Sequence, residues 1–274
     1  MQSTEKNTAT RQLYEVLDFP PPAFLSPFIQ EIRTFATRTF LPGAVPWHIM
    51  PDGSSYLIFT LSRRNKQYRS RLVWVGPRTV YKEIDRKERL LNITIRFWPG
   101  SASLWLPMPL GEIADRSIHL SELWGEQAAI LKQNISQSAA KKDINSCVRQ
   151  LLVFLEDQLE WHKSSHPTVS GCVQTLLQHQ AGLSIKAIAT QLGVSDRYLR
   201  KTMVAQVGMS PKKLSRIFRV TKAVALADQK WPFGWAALAN TSGYYDQAHM
   251  IDEFQALLGA SPEAFITRRN REEV

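Results

Sequence analysis

Between Ser184 and Pro262 apolar residues recur at helical spacing, break at a glycine, and then do the same again. In the first passage Ile185, Ile188, Ala189 and Leu192 form one helical stripe, and Ser184 stands where an N-cap belongs. Gly193 follows, a residue that accepts the positive φ of a tight turn between helices. Ser195 then caps a second helix, predicted from about Asp196 to Ala205, with Leu199 and Met203 facing inward. Arg197, Arg200, Lys201 and Val204 fall at i, i+3, i+4 and i+7 and share another face. About fifty residues on, the order returns in ALANTSGYYDQAHMIDEFQALLGASP. Ala187-Ile188-Ala189 align with Ala237-Leu238-Ala239, Gly193 with Gly243, and Gly208-Met209-Ser210-Pro211 with Gly259-Ala260-Ser261-Pro262.

A third helix joins the two units. Ser210-Pro211 supplies an N-cap and a proline at the first helical position. Leu214, Ile217, Phe218, Thr221, Val224 and Ala225 continue as an inward stripe, with Lys212, Lys213, Arg216, Arg219 and Lys222 over much of the remaining surface. From Arg197 to Lys222 there are eight Lys or Arg and no Asp or Glu. That sign points to phosphate as the partner, and two turn-linked helix pairs in one chain suit a repetitive duplex. Arginine on the outer face of the second helix of such a pair can reach guanine in the major groove.

The front half has the other period. Short β-branched and aromatic runs at Trp47–Met50, Tyr56–Leu61, Leu72–Val75 and Leu91–Phe97 are separated by Pro51-Asp52-Gly53, Gly76-Pro77 and Pro99-Gly100. Ile93, Ile95 and Phe97 alternate with Asn92, Thr94 and Arg96, as in a half-buried antiparallel strand. The expected fold is therefore multidomain: an N-terminal α+β region, a small β-barrel or sheet plus helices, then an all-α C-terminal double helix-turn-helix. The boundaries read as a flexible stretch 1–20, a β-rich domain 21–162, a linker 163–168 and a DNA-binding domain 169–270.

The segments SIKAIATQLGVSDRYLRKTM and SGYYDQAHMIDEFQALLGASPEAF, with both G-x-SP steps, resemble the DNA-binding domain of the AraC/XylS family of bacterial transcription regulators. The resemblance implies a double helix-turn-helix that grips DNA as a monomer and controls transcription. It places Arg197, Arg200 and Lys201 at the exposed positions of the first reader helix, and we add Tyr198 and Val204 as candidate contacts. In the second reader it points to Asp246, Gln247, Ala248, His249 and Asp252. That helix departs from the pattern: Asp252-Glu253 stands where the family usually has a cation, so affinity is expected to rest on the first unit. Candidate phosphate contacts are Ser184, Ser195, Lys212, Lys213, Arg216 and Arg219. The stretches PPAFLSPFIQEI, MPDGSSYLIF, IRFWPGSASLWL and LSELWG also resemble the sensor-like front domain of one subset of these regulators, which implies a cupin-like fold.

Composition adds a few exclusions. Net charge is +10, and the last 104 residues hold 13 basic against 8 acidic groups. Cys147 and Cys172 are too few for a disulfide framework and lack CxxC spacing. Only His48 and His119 precede residue 160, short of a cupin metal set, and no GxSxG elbow, phosphate loop or HExxH helix occurs. No enzymatic role, cofactor or metal is expected, and no apolar run is long enough for a membrane span. Trp47, Trp74, Trp98 and Trp105 lie in or beside the predicted strands, either as walls of an effector pocket or as plain core. Ile144, Val148, Leu151, Leu152 and Leu155 form a broad stripe that either pairs two subunits or covers the chain's own sheet. The expected partners are double-stranded DNA and a second copy of the chain, with RNA polymerase and a small-molecule effector as candidates, in a bacterial cytoplasm at the nucleoid. The alternatives are a DNA-binding assembly protein without an effector, and an interaction protein that reuses the fold away from DNA.

Overall fold

The structure is a computed structural model that describes residues 14–37, 45–64, 67–86, 89–159, 166–179, 183–229 and 231–272. Its first half is antiparallel β. Strands β1 (Tyr14–Phe19), β2 (Ile29–Thr37), β4 (Tyr56–Arg64), β5 (Gln67–Val75), β7 (Arg89–Phe97) and β8 (Ser117–His119) form one six-stranded sheet in the order β1-β2-β7-β4-β5-β8. Strands β3 (Val45–Ile49) and β6 (Lys82–Arg86) form a separate two-stranded ribbon. β1 thus lies within the stretch expected to be flexible, while residues 1–13 are outside the described part. β4 and β5 pair antiparallel from Tyr56 with Val75 to Arg64 with Gln67, and Asn65 and Lys66 lie outside the described residues.

The strands sort their side chains by parity. Across the sheet, Ile32, Ile95, Leu57 and Trp74 stand in register, as do Thr34, Ile93, Phe59 and Leu72, and these face the main core. The next residues along each strand make the opposite rows, Arg33–Thr94–Ile58–Val73 and Phe35–Asn92–Thr60–Arg71. The alternation read in Asn92–Phe97 is thus a partition between a dry face and a polar one: Ile93, Ile95 and Phe97 are fully buried. Two helices, α1 (Leu120–Ala140, kinked at Trp124–Gly125) and α2 (Ile144–Asp157), together with two preceding 3₁₀ turns at Ser101–Leu104 and Leu110–Ile113, seal the dry face.

The second half is helical. It comprises α3 (Pro167–His179), α4 (Ile185–Gln191), α5 (Asp196–Val207), α6 (Pro211–Ala227), α7 (Gly234–Ser242), α8 (Gln247–Leu258) and α9 (Pro262–Glu272). These share a core of their own, centred on Leu199, Met203, Leu214, Ile217, Leu238, Met250 and Phe254, all essentially buried. Helix α6, at 17 residues, is about 25 Å long and touches both helix pairs. Of the linker assigned to 163–168, residues 163–165 lie outside the described part and α3 begins at Pro167.

Candidate nucleic-acid interface

The first helix pair is assembled as its sequence suggests. Ser184 Oγ accepts from Ala187 N at 3.1 Å and Ser195 Oγ accepts from Tyr198 N at 3.1 Å, so each helix starts on a satisfied cap. Gly193 turns the chain at φ 68°, and a Cβ placed there would meet no other atom within 4 Å. The requirement at this turn is therefore conformational and not steric. Helix α5 buries Leu199, Met203 and Val207 and leaves Arg197, Tyr198, Arg200, Lys201 and Val204 exposed. Arg200 Nε sits 2.9 Å from Asp196 Oδ2 one turn back, an exposed pair worth only a few tenths of a kcal/mol and easily exchanged for a base or phosphate. Tyr198 Oη is 3.2 Å from His166 Nε2, which ties the start of this helix to the start of α3.

The second pair has the same frame and different chemistry. Asp246 caps α8 by accepting from His249 N at 2.8 Å, and Gly243 carries φ 87° at the preceding turn. Asp246, Gln247 and Ala248 are exposed and His249 is half-buried. The two carboxylates that break the pattern part company. Asp252 is exposed, whereas Glu253 is buried, with its Oε1 accepting from Arg216 Nε at 2.7 Å and its Oε2 3.7 Å from Arg219 Nη2. Arg219 also lies over the ring of Tyr244, whose buried hydroxyl is pushed to a higher pKa by desolvation and then by the nearby Glu253 charge. Sequence reading passed over Tyr245, which is 89 % exposed directly before the α8 cap, and Phe233, 70 % exposed before α7. Their signal was an aromatic at a position that no helical stripe needed.

The six phosphate candidates are placed very differently. Ser184 and Ser195 use their oxygen as a cap acceptor, which leaves the hydroxyl hydrogen free to donate. Lys212 is exposed. Lys213 Nζ instead donates to Thr79 Oγ1 of the β domain at 2.7 Å, and Arg216 and Arg219 turn to Glu253. A helix-only reading had all four cations on one solvated surface and could not see the carboxylate or the threonine that claims three of them.

The β domain also presses on the first reader. The turn Leu110–Ile113 lies against the C-terminal end of α5, where a Cβ on Gly111 would come within 3.1 Å of Val204 O and 3.5 Å of Val204 Cγ1. A Cβ on Gly208, which ends α5 at φ 82°, would meet Leu110 O at 3.0 Å. Val204 thus closes the charged stripe beside the β domain, while Arg197, Arg200 and Lys201 are clear of it.

In the front domain, the packing of Trp74, Trp105 and the α2 stripe follows the core reading left open for each. Trp74 is fully buried and stacked on Phe97 at 4.9 Å, and Trp105 is 4 % exposed with its indole N–H donating to Leu155 O at 2.8 Å. These two are core, Trp98 is half-buried, and the Trp47 side chain is outside the described part. Val148, Leu151 and Leu155 of α2 are likewise sunk in the chain's own core, with Ile144 and Leu152 packed against it. The reason is the width of the dry sheet face, which takes the whole stripe. Cys147 and Cys172 sit in the two separate cores, and burial pushes each thiol up to about 11. Among the described residues no helix is long and apolar enough to cross a membrane, and no three His, Cys, Asp or Glu side chains group to hold a metal ion.

Comparison with known proteins follows this division. Residues 175–268 match a family described as a helix-turn-helix domain, and residues 17–119 match a domain of unknown function (DUF6597). No curated protein matches the chain. Among solved structures, the C-terminal domain of AraT, a response regulator from Geobacillus stearothermophilus, is 25 % identical, with 38 % of this chain and 87 % of that one covered and a TM-score of 0.36. Apo ToxT from Vibrio cholerae is 11 % identical over 93 % of this chain and 96 % of its own, with a TM-score of 0.41.

Proposed function

We propose that the chain is a DNA-binding transcription regulator whose C-terminal helix-turn-helix domain is of the AraC type, and that α5 and α8 enter adjacent major grooves of double-stranded DNA with unequal weight. Helix α6 sets the separation. Its length of about 25 Å, extended by the turn at either end, is commensurate with the roughly 34 Å between successive major-groove faces on one side of the duplex. The observation that carries the inequality is the internal claim of Glu253 on Arg216 and Arg219 beside a reader with no cation. Helix α5 meanwhile exposes Arg197, Arg200 and Lys201 together. Arg200 is the base reader in this scheme, Arg197, Lys201 and Lys212 engage phosphates, and Gln247 offers its amide to adenine.

The test is fluorescence anisotropy on a duplex from the chain's own upstream region. Arg200→Ala is expected to weaken binding by about tenfold or more, the value of a bidentate base contact, and Gln247→Ala by less than about threefold. Equal losses in the two variants would overturn the ranking of the readers.

In the same reading the β domain serves the DNA-binding domain as effector sensor and assembly surface, and no reaction is assigned to it. Because the α2 stripe is used internally, pairing of two copies would fall to the apolar side chains left outside on the helical pair, Ile130 and Val153, which are 50 % and 49 % exposed.

A further inference from the structure

The polar face of the main sheet, closed over by the β3–β6 ribbon and the turn leading to β8, bounds a cavity of about 630 Å³. That volume is in the range of small-molecule sites. Its lining carries Arg33, Arg71, Arg78, Lys82, Arg96 and Arg116, against the carboxylates of Glu31 and Asp115. The parity of the strands puts them there: Arg71 stands across from Thr60 and Arg96 across from Tyr56, on the face opposite the apolar core.

Half of these cations are already spoken for. Arg33 pairs with Asp18 at 2.5 Å and Glu31 at 2.8 Å, and Arg96 with Asp52 at 2.9 Å. Burial, the largest single influence, would lower the Arg96 pKa, but Asp52, Tyr56 and Glu31 together outweigh it and the guanidinium is held more firmly protonated than usual. Lys82 Nζ donates to Asp115 O at 2.9 Å. Asp115 itself is no counter-ion to spare, because its carboxylate accepts from Thr79 N at 2.7 Å, from Val80 N at 3.3 Å and from the Thr79 hydroxyl. Arg71, Arg78 and Arg116 are left with no carboxylate partner among the described residues; Arg78 lies 3.8 Å over the ring of Tyr56. Stacking of this kind holds a guanidinium in place without neutralising it.

We infer that this cavity binds a small organic anion, whose carboxylate or phosphate head is held by Arg78 and Arg116 and whose body lies along Ile58 and Val73. Three guanidinium groups without a carboxylate partner around a half-enclosed space repel one another, and an anionic oxygen group relieves that repulsion while forming short, charge-assisted hydrogen bonds. The middle of the sheet face supplies apolar contact from Phe35, Ile58 and Val73, and Thr60, Asn92 and Thr94 supply neutral hydrogen-bonding groups for a polar substituent. This deepens the effector reading above and rests on it. The site lies on the side of the sheet opposite Trp74.

The cavity wall is shared with the DNA-binding domain. Thr79, between Arg78 and Val80, accepts from Lys213 of α6 at 2.7 Å and gives its own hydroxyl hydrogen to Asp115. The Arg78 carbonyl accepts from Gly53 N at 3.0 Å, and Gly53 is packed against Leu214 of α6. A ligand that draws Arg78 and Arg116 toward its head therefore pulls on Thr79, which holds Lys213, and on Asp115, which holds Thr79.

The experiment is isothermal titration of the full chain with octanoate, succinate and inorganic phosphate. At least one probe is expected to bind, and Arg78→Gln and Arg116→Gln are each expected to weaken it about tenfold or more, while Arg149→Gln on the outer face of α2 leaves it unchanged. Arg116 is exposed, so its variant keeps the test valid if Arg78→Gln fails to fold. Binding of octanoate or succinate assigns the head to a carboxylate, and binding of phosphate alone at the same two arginines assigns it to a phosphate ester. Absence of binding by all three probes, or binding indifferent to both substitutions, overturns the site. DNA anisotropy without any probe is run on the same samples: failure there strikes the reader assignment, and failure of the titrations alone strikes only the cavity.

Discussion

At the scale of single residues, the turn of the first helix pair isolates one physical cause. Gly193 has φ 68° and open space where a side chain would go, so Gly193→Ala adds no collision and changes only the backbone preference. The cost of holding alanine in the left-handed region is about 1 kcal/mol. Thermal unfolding of the variant is expected to show that loss, with the DNA affinity of the folded fraction retained; a loss several times larger would mean that the turn is packed in a way its open surroundings deny. The thiols are a second residue-scale case. Each unfolds to a thiol with a pKa near 9.0 and is held up to about 11 in the fold, chiefly by burial. Between those values the unfolded chain has lost the proton and the folded chain has kept it, so the thiols lower stability as pH rises from about 9 to 11. At pH 8 both stay protonated and enclosed, and a thiol-titrating disulfide reagent is expected to label neither until denaturant is added. Prompt labelling of the native protein would contradict the buried placement of both.

Whole elements were legible wherever their pattern depends on near neighbours in the chain. The caps at Ser184, Ser195 and Ser210, the turn at Gly193 and the strands β4, β5 and β7 all follow from spacing within a few residues. β6 was not legible, since Lys82–Arg86 is almost wholly charged and becomes a strand only by pairing with β3. The same boundary separates the two readers. Exposure of Arg197, Arg200 and Lys201 follows from helical periodicity, but the burial of Glu253 follows from an ion pair between helices 37 residues apart. The stripe of Met250, Phe254, Leu257 and Leu258 puts Glu253 on the inward side of α8 and Asp252 on the outward side, but the arginines that let a carboxylate be buried there come only with α6. The pair makes its own prediction. Glu253→Gln removes the carboxylate from two arginines whose side chains are 31 % and 17 % exposed, which is expected to destabilise the domain by about 2 kcal/mol, below the cost for a fully buried pair. The arginines it releases then become available to phosphate, so non-specific DNA binding should tighten and its log–log salt slope steepen by roughly 0.9 for each cation that engages. A variant that melts lower with an unchanged salt slope would show that Arg216 and Arg219 point away from the duplex even when free.

At the scale of the molecule, the β domain packs on the helical domain through contacts that no local pattern encodes. It rests the Leu110–Ile113 turn on the end of α5, seats Gly53 against Leu214 and Met209, and holds Lys213 at Thr79. Arg268 of α9 adds a hydrogen bond to the Tyr81 hydroxyl at 3.1 Å. Because the helical half has a core of its own, removal of residues 1–166 is expected to leave a folded fragment that shifts DNA. It should melt below the full chain, since Val207, Met209 and Leu214 lose the cover of the β domain. Its binding should also depend more steeply on salt. Lys213, one of the candidate phosphate contacts, has its ammonium 2.7 Å from Thr79 in the intact chain, and the fragment has no Thr79. One more phosphate neutralised raises the slope by roughly 0.9. Anisotropy across a salt series on the two proteins, with Thr79→Ala in the full chain as the third arm, separates the causes. If Lys213 is the reason, Thr79→Ala reproduces the steeper slope without the truncation. If the fragment alone is steeper, the β domain screens the duplex by its bulk, and if a fragment that is helical by circular dichroism binds no DNA even at low salt, the readers depend on the β domain for more than stability.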